Sequence, residues 1–250
     1  MERVALITGA SSGIGRACAE AFSRRGFKVA IADINDAGQD LASELNGTFI
    51  KADLSKQEDC QELVNQTVKQ LGGLDILINN AGFQSIHPLA DFPEETWNKM
   101  IALMLTAPFL LSKYAWEHLK ASGHGRIINI GSIHSLTASP FKAAYVTAKH
   151  GLLGFMRVAA LEGAEYGITC NTVAPAYVRT PLVEAQIVDQ AKTRGISEAE
   201  VEEKVFLENT AIKKMLEPQD VASYVLYLAS EEAWGITAST ATIDLGWTAK

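Results

Sequence analysis

The sequence predicts an α/β fold in which one mostly parallel sheet of seven strands is covered by helices on both faces. Short runs rich in β-branched residues alternate with helix-length amphipathic segments, which is the order typical of a doubly wound fold. Most of these runs are apolar throughout, as expected of strands that are buried on both faces. A chain of 250 residues that is 48% hydrophobic can bury a sizeable core, so we expect a single domain over residues 1–250.

Seven segments are predicted as strands, and they are residues 3–9, 28–33, 48–53, 74–80, 126–132, 168–175 and 240–246. The amphipathic segments 16–26 and 57–73 are predicted as helices that connect them. The long interval 177–217 contains no convincing strand, because it is charged, helix-prone and interrupted by Gly195. We expect this interval to form a helical substrate lid that is added to the sheet.

The composition argues against several classes of function. A net charge of -7 and a pI of about 5.3 do not suit a nucleic-acid or anionic-membrane partner, which needs a basic face. The longest apolar stretch, 100–111, is too short to cross a bilayer. The cysteines, Cys18, Cys60 and Cys170, lack metal-ligand spacing and are typical of reduced thiols. The N-terminus also lacks the layout of a signal peptide. We therefore expect a cytoplasmic protein without a metal site.

A glycine-rich turn follows the first predicted strand. The segment TGASSGIG places Gly9, Gly13 and Gly15 between strand and helix, where backbone N–H groups can approach a phosphate. Its spacing differs from the G-x-G-x-x-G dinucleotide fingerprint, and an ordinary tight turn would look the same. Asp33 ends the second strand, where a carboxylate can bind a ribose 2′-hydroxyl and repel a 2′-phosphate. Ser12 offers no compensating positive charge, so the pattern favours NAD over NADP as cofactor.

A tyrosine and a lysine lie four residues apart near the middle of the chain. On a helix Tyr145 and Lys149 share one face, about 6 Å apart along the axis. Lowering a tyrosine pKa by two or three units needs about 3–4 kcal/mol. One ammonium about 5 Å away supplies about 3 kcal/mol, so Lys149 is expected to make Tyr145 a base, and an oxidised nicotinamide would add a second positive charge. Ser132 ends a strand, where its hydroxyl could bind a substrate oxygen. A surface helical pair and a strand-end serine would give the same pattern.

Taken together, TGASSGIG, NNAG (79–82), Ser132 and YVTAK (145–149) resemble the short-chain dehydrogenase/reductase family over nearly the whole chain. The resemblance implies a single Rossmann-type domain, a nicotinamide cofactor and a homotetramer. It implies that Tyr145 is the general acid/base, that Ser132 steadies the reacting oxygen, and that Lys149 lowers the tyrosine pKa and binds the nicotinamide ribose. The cofactor contacts expected are Gly9, Ser12, Gly13, Ile14, Gly15, Asp33, Asp53, Leu54, Asn80, Gly82, Tyr145, Lys149 and Val178. For Asp53, an N-cap of the following helix is the equal alternative.

One position departs from the family pattern. The family has an asparagine whose backbone carbonyl holds a proton-relay water, and this chain has Met104 there. A methionine side chain is only a weak acceptor. Pro108 has no N–H and cannot donate to the carbonyl of Met104, so we hypothesise that this proline frees the same carbonyl. Ala176 and Leu245 stand at two positions where the family often has glycine.

Further polar residues are expected around the tyrosine. The substrate-binding candidates are Gln84, Ser132, His134, Lys142, Tyr145 and Gln186, with Tyr177 and Trp247 as an apolar wall. One cation with several neutral donors suits a small carboxylate, although each of these residues alone more often has a structural role. Segments 82–84, 132–151 and 177–187 resemble the 3-hydroxybutyrate dehydrogenases of the family. This implies reversible oxidation of (R)-3-hydroxybutyrate to acetoacetate with NAD. Alternatives are another hydroxy acid, a polyol or sugar as substrate, or an NAD-sensing protein without catalysis.

Overall fold

In this computed structural model the described residues are 2–249, apart from the side chains of residues 189, 193 and 194. One sheet contains seven strands: Val4–Thr8 (β1), Lys28–Asp33 (β2), Thr48–Lys51 (β3), Ile76–Asn79 (β4), Arg126–Ile130 (β5), Thr169–Pro175 (β6) and Thr240–Ile243 (β7). Their order is β3-β2-β1-β4-β5-β6-β7. Every pair of neighbours is parallel, so the sheet is wholly rather than mostly parallel. The prediction of a doubly wound, Rossmann-type α/β fold is confirmed.

Nine α-helices are found among the described residues. They are Gly13–Arg24 (α1), Gly38–Glu44 (α2), Gln57–Leu71 (α3), Glu94–Ile101 (α4), Ala107–Ser122 (α5), Ala143–Gly163 (α6), Pro181–Arg194 (α7), Glu198–Val201 (α8) and Pro218–Leu228 (α9). Two π-helical turns, Ala102–Thr106 and Glu202–Phe206, follow α4 and α8. No helix within residues 2–249 is long and apolar enough to cross a membrane.

The hydrophobic core lies on both faces of the sheet because successive strand residues point to opposite sides. Ile7 and Ile31 belong to a cluster that includes buried residues of α1, α2 and α9. Leu6 and Leu77 belong to a second cluster with α3, α5 and α6. This double burial explains why most of the strands are apolar throughout.

The interval 177–217 contains α7, α8 and the second π-helical turn, so its predicted helical character is confirmed. Its two ends lie side by side, because the amide of Arg179 donates to the carbonyl of Leu216 at 2.8 Å. The amide of Leu216 in turn donates to the carbonyl of Tyr177 at 3.1 Å. The Tyr177 and Phe206 rings stack with centroids 4.3 Å apart. The segment therefore begins just after β6 and returns to the same place at Leu216.

Candidate active site

A cleft of about 470 Å³ opens at the carboxyl ends of the strands, where doubly wound sheets bind ligands. It includes the point between β1 and β4 at which the strand order reverses. The sequence-predicted residues that line it are Gly9, Ser12, Gly13, Ile14, Asp33, Asp53, Leu54, Asn80, Gly82, Gln84, Ser132, His134, Lys142, Tyr145, Lys149, Val178 and Gln186. Residues that are distant in sequence thus meet at one edge of the sheet.

Three predicted site residues do not line the cleft. Gly15 lies behind the turn, and a Cβ there would come 2.3 Å from the carbonyl oxygen of Gly9. Its role is therefore close packing of α1 on the turn rather than contact with a ligand. Met104 is buried with its Sδ 3.1 Å from the place of a Cβ on Gly82. Trp247 is not among the residues that line the cleft, and its ring centroid lies 6.4 Å from that of His134.

The glycine-rich turn is held against the end of β4. Gly9 has a φ of +63°, and a Cβ there would lie 2.8 Å from the Cα of Ala81. The side-chain amide of Asn80 donates to the carbonyls of Thr8 at 2.9 Å and Gly9 at 3.0 Å. Ser12 precedes α1 but makes no side-chain cap hydrogen bond. The first N–H groups of α1 therefore have no side-chain cap from this residue, at a helix end that attracts anions.

Two aspartates stand at neighbouring strand ends in different roles. The carboxylate of Asp33 accepts from the backbone N–H groups of Ser11 at 2.9 Å and Asn35 at 3.0 Å. Asp53 accepts from the hydroxyl of Ser55 at 2.6 Å and its N–H at 3.1 Å, and the hydroxyl contact is the main cause of a lowered Asp53 pKa. The residue that precedes α3 is Lys56. The alternative of Asp53 as helix N-cap is therefore wrong.

Ser132, Tyr145 and Lys149 converge at one end of the cleft. The Lys149 Nζ lies 5.6 Å from the Tyr145 ring centroid and donates to the carbonyl of Ile130 at 2.6 Å. Desolvation raises the pKa of Tyr145, and a hydrogen bond with Ser132 opposes that rise. Burial also lowers the pKa of Lys149 to about 8.

These shifts differ from the expectation that one neighbouring ammonium depresses the tyrosine pKa. In the protein alone, burial of the phenol outweighs the attraction, and the ammonium is directed at the Ile130 carbonyl. The sequence estimate assumed a largely solvated pair and omitted the desolvation of both members. A depressed pKa at Tyr145 therefore needs a further positive charge in the cleft.

The helix before the serine strand is irregular at Met104, as the Pro108 hypothesis requires. The π-helical turn spans Ala102–Thr106, and the amide of Ala107 donates to the carbonyl of Ala102. Pro108 lacks the N–H that would reach the Met104 carbonyl in an α-helix. The direction of that carbonyl relative to Lys149 stays a prediction.

The other two departures from the family pattern are both accommodated by the backbone. Leu245 adopts a φ of +57°, so the chain keeps a glycine-like conformation without a glycine. Ala176 is not in this left-handed region, and its amide donates to Ile243 at 3.1 Å.

The predicted carboxylate-binding residues line the same cleft as Tyr145. His134 is 3% exposed, and burial lowers its pKa to about 4, with smaller effects of Lys142 and His150. The Nζ of Lys142 lies 5.9 Å from the Tyr177 ring centroid, and burial lowers its pKa. Gln84 also lines the cleft, and its Oε1 is buried without a hydrogen-bond partner among the described residues. The site thus offers a neutral imidazole, one cation and free amide groups.

Several residues of the cleft carry no sequence signal that we could interpret. They include Ile34, Phe83, Lys99, Leu103, Thr180 and Leu182. Most are apolar or common surface types, and only their position beside a strand end distinguishes them. Ser139 was also missed, although its hydroxyl lies 2.9 Å from His134 Nε2.

Comparison with known proteins agrees with this architecture. A family model described as Enoyl-(Acyl carrier protein) reductase matches residues 9–248. A D-beta-hydroxybutyrate dehydrogenase of Rhizobium meliloti is 42% identical over 258 residues, which cover all of both chains. An enzyme of the same name from Cupriavidus necator is 36% identical and covers 99% of this chain and 98% of its own. An acetoacetyl-CoA reductase of Shinella zoogloeoides is 35% identical over 98% of each chain. The chain is therefore an oxidoreductase that belongs to the short-chain dehydrogenase/reductase family.

Proposed function

We propose that this enzyme oxidises (R)-3-hydroxybutyrate to acetoacetate, reversibly, with NAD as cofactor. The observation that carries the proposal is one cleft that contains both the Ser132–Tyr145–Lys149 group and a carboxylate-binding group. The latter consists of Gln84, His134, Lys142 and Gln186. Relatives named D-beta-hydroxybutyrate dehydrogenase, at 42% and 36% identity over essentially the full length, support the same choice of substrate.

The residues at the end of the cleft that contains the glycine-rich turn and Asp33 fit a dinucleotide. The N-terminus of α1 has no side-chain cap from Ser12, so its free N–H groups suit a pyrophosphate. The Asp33 carboxylate, fixed by two backbone N–H groups, suits a ribose diol and disfavours a 2′-phosphate. The remaining proposed contacts are Gly9, Gly13, Ile14, Asp53, Leu54, Asn80, Gly82 and Val178. This chemistry supports NAD rather than NADP.

The reacting end derives its chemistry from three side chains. Tyr145 takes the proton of the substrate hydroxyl as general base, while Ser132 donates a hydrogen bond to the same oxygen as charge develops there. NAD, when bound, supplies the acceptor for the hydride that leaves C3 and a positive ring that favours the phenolate. Lys149 holds a further positive charge beside the tyrosine and suits the ribose hydroxyls.

The substrate carboxylate pairs with Lys142 and accepts hydrogen bonds from neutral donors around it. His134 stands beside the carboxylate as a neutral imidazole because burial lowers its pKa, so it adds no positive charge that would compete with Lys142. Tyr177, which lines the cleft, borders the small apolar part of the substrate, and Trp247 packs near His134. Residues 177–217 form the lid of a single domain over residues 1–250.

We also propose a cytoplasmic homotetramer. Val158 and Leu161 on α6 are 54% and 78% exposed, and Phe109 on α5 is 46% exposed. Large apolar side chains at this density suit a contact between copies of the chain. The mass of the native protein in sedimentation measures this directly.

The deciding experiment is the initial rate of NADH formation with (R)-3-hydroxybutyrate. We expect turnover with the (R) form and NAD, little with the (S) form, and little with NADP. Turnover of a neutral polyol or sugar with no response to hydroxybutyrate would favour another substrate class. Tight NAD binding without turnover of any 3-hydroxy acid would instead favour an NAD-sensing protein.

The carboxylate group is tested by Lys142→Met, which removes the charge and keeps an apolar stem. A charge-assisted hydrogen bond is worth about 1.5–3 kcal/mol, so we expect the KM for hydroxybutyrate to rise roughly 10- to 100-fold. The KM for an uncharged secondary alcohol should change little. Lys69→Met, at an exposed position of α3, is the matched control. Equal losses on both substrates contradict the role of Lys142.

A further inference from the structure

A hydrogen-bonded chain of side chains begins at Ser132, beside Tyr145, and leads away from the cleft. Tyr145 and Ser132 both line the cleft, and the Ser132 hydroxyl opposes the rise that burial causes in the Tyr145 pKa. The Ser132 Oγ lies 3.4 Å from His134 Nδ1, and His134 Nε2 lies 2.9 Å from the Ser139 Oγ. Ser139 is half-buried and does not line the cleft. The two nitrogens of one imidazole thus connect a buried hydroxyl with one that reaches the surface.

The links from Ser132 to Ser139 are made by side chains of the protein, whereas the relay expected from the family needs a bound water. That water would be held by the backbone carbonyl of Met104, whose direction relative to Lys149 stays a prediction. It would stand beside Lys149, whose ammonium donates at 2.6 Å to the carbonyl of Ile130. The path through His134 requires neither group.

We propose that the proton taken up by Tyr145 leaves the active site through Ser132, His134 and Ser139. This inference rests on the proposed dehydrogenation, which releases one proton for each hydride transferred. His134 would then be a relay residue as well as a neighbour of the substrate carboxylate. Ser139, which no part of the proposed function uses, becomes the exit of the path.

The transfers balance. In oxidation the phenolate of Tyr145 gains the substrate hydroxyl proton. The phenol then gives its proton to the Ser132 Oγ as the Ser132 proton passes to His134 Nδ1. The Nε2 proton of His134 passes to the Ser139 Oγ, and Ser139 releases its own proton to solvent. Rotation of the two hydroxyls and return of the imidazole to its first tautomer restore the starting state, and reduction runs the same steps in reverse.

The surroundings of His134 suit this task. An imidazole relays a proton only if it is neutral and bonded at both nitrogens. The ring is buried against Tyr145 and Trp247, at centroid distances of 6.0 Å and 6.4 Å. Burial, and to a smaller extent the charge of Lys142, opposes a second proton on the imidazole. The required tautomer carries its proton on Nε2, because Nδ1 must accept from Ser132.

The first test measures the His134 tautomer in the ligand-free protein by ¹⁵N NMR, with Ser139→Ala for comparison. We expect a neutral ring with its proton on Nε2, and a shift of the Nε2 signal when Ser139 loses its hydroxyl. A protonated imidazolium at neutral pH, or a proton on Nδ1, overturns the proposal. This measurement needs no turnover, so it decides the relay even if hydroxybutyrate proves not to be the substrate.

The second test follows a single turnover with a pH-indicator dye and NADH absorbance together. In Ser139→Ala we expect proton release to slow by roughly tenfold or more, with hydride transfer in the first turnover and the KM for hydroxybutyrate unchanged. Thr137→Val is the matched control, because Thr137 belongs to the same loop and donates only to the carbonyl of Ile133. Proton release in Ser139→Ala at the wild-type rate overturns the relay. Absence of hydroxybutyrate turnover in the wild type instead rejects the proposed function.

Discussion

The carboxylate of Asp33 shows how a single side chain is prepared for recognition. Its Oδ2 accepts from the N–H of Ser11 and its Oδ1 from the N–H of Asn35. Each oxygen keeps a further lone pair for a hydroxyl donor. The side chain is therefore fixed by the backbone of the glycine-rich turn and of its own loop, so the proposed binding of a ribose would cost little conformational entropy.

Asp33→Asn keeps the size of the side chain and removes its charge. Because a hydrogen bond to a charged group is worth about 1.5–3 kcal/mol, we expect kcat/KM with NAD to fall roughly 10- to 100-fold. The ratio of NADP to NAD activity should rise, since the repulsion of a 2′-phosphate is lost. Asp36→Asn is the control, because its carboxylate is 75% exposed and pairs with Lys51. An unchanged cofactor ratio in Asp33→Asn would contradict the role of the carboxylate.

At the scale of elements, the strands were predictable because most of them, β1, β4, β5 and β6 above all, are buried throughout. The strand ends also located most cleft residues, since parallel strands bring their carboxyl ends to one edge. The π-helical turn Ala102–Thr106 was foreseen only as an irregularity at Pro108. The left-handed backbone of Phe141 was not foreseen at all, because a bulky residue gives no local sign that it adopts a φ of +69°.

Phe141 lies directly before Lys142 and α6, and its carbonyl accepts from the N–H of His87 at 3.0 Å. A left-handed conformation costs a non-glycine residue roughly 1–2 kcal/mol, and Phe141 is 56% exposed, so packing repays little of it. We expect the free energy of unfolding, measured in urea, to be about 1 kcal/mol higher for Phe141→Gly than for Phe141→Ala. At an ordinary helical site the order of glycine and alanine is reversed, so equal values for the two variants would contradict the strain.

Arg179 connects the elements of the proposed lid, residues 177–217. Its guanidinium binds Glu184 of α7 at 2.8 Å and both carboxylate oxygens of Glu202, at 2.9 Å and 3.0 Å. Glu217, before α9, lies 3.7 Å away. Because one planar guanidinium serves three carboxylates, a lysine cannot replace it.

Arg179→Lys should therefore loosen the lid without unfolding the sheet. We expect hydrogen exchange in residues 181–206 to accelerate by about fivefold, which corresponds to about 1 kcal/mol for a partly exposed network. Exchange in β1 to β6 should be unchanged. Lys204→Gln, which removes an exposed pair with Glu200 in the same segment, is the control. Equal effects of the two substitutions would mean that Arg179 stabilises residues 181–206 no more than an exposed ion pair does.

At the scale of the whole molecule, the apolar core and the polar residues of the cleft occupy different parts of the fold. Two apolar clusters occupy the faces of the sheet, and the polar groups of six successive strand ends collect at one edge. His134, which follows β5, is both buried and part of the cleft lining. Burial lowers the pKa of its imidazole, and this makes the stability of the folded state sensitive to acid.

The pKa of His134 is about 4 in the folded protein against an ordinary 6.5. As the pH falls below 6.5 the unfolded chain binds a proton that the folded chain does not, so the free energy of unfolding falls until about pH 4. Between pH 7 and pH 5 this one group should remove about 2 kcal/mol. His134→Gln lacks the titration, and its urea unfolding should depend less on pH in that window. His124→Gln, at an exposed position, should behave as the wild type does. Parallel pH dependences of the wild type and His134→Gln would show that the imidazole is already charged in the folded chain, and a charged ring can carry neither the proposed relay nor the proposed neutral contact with substrate.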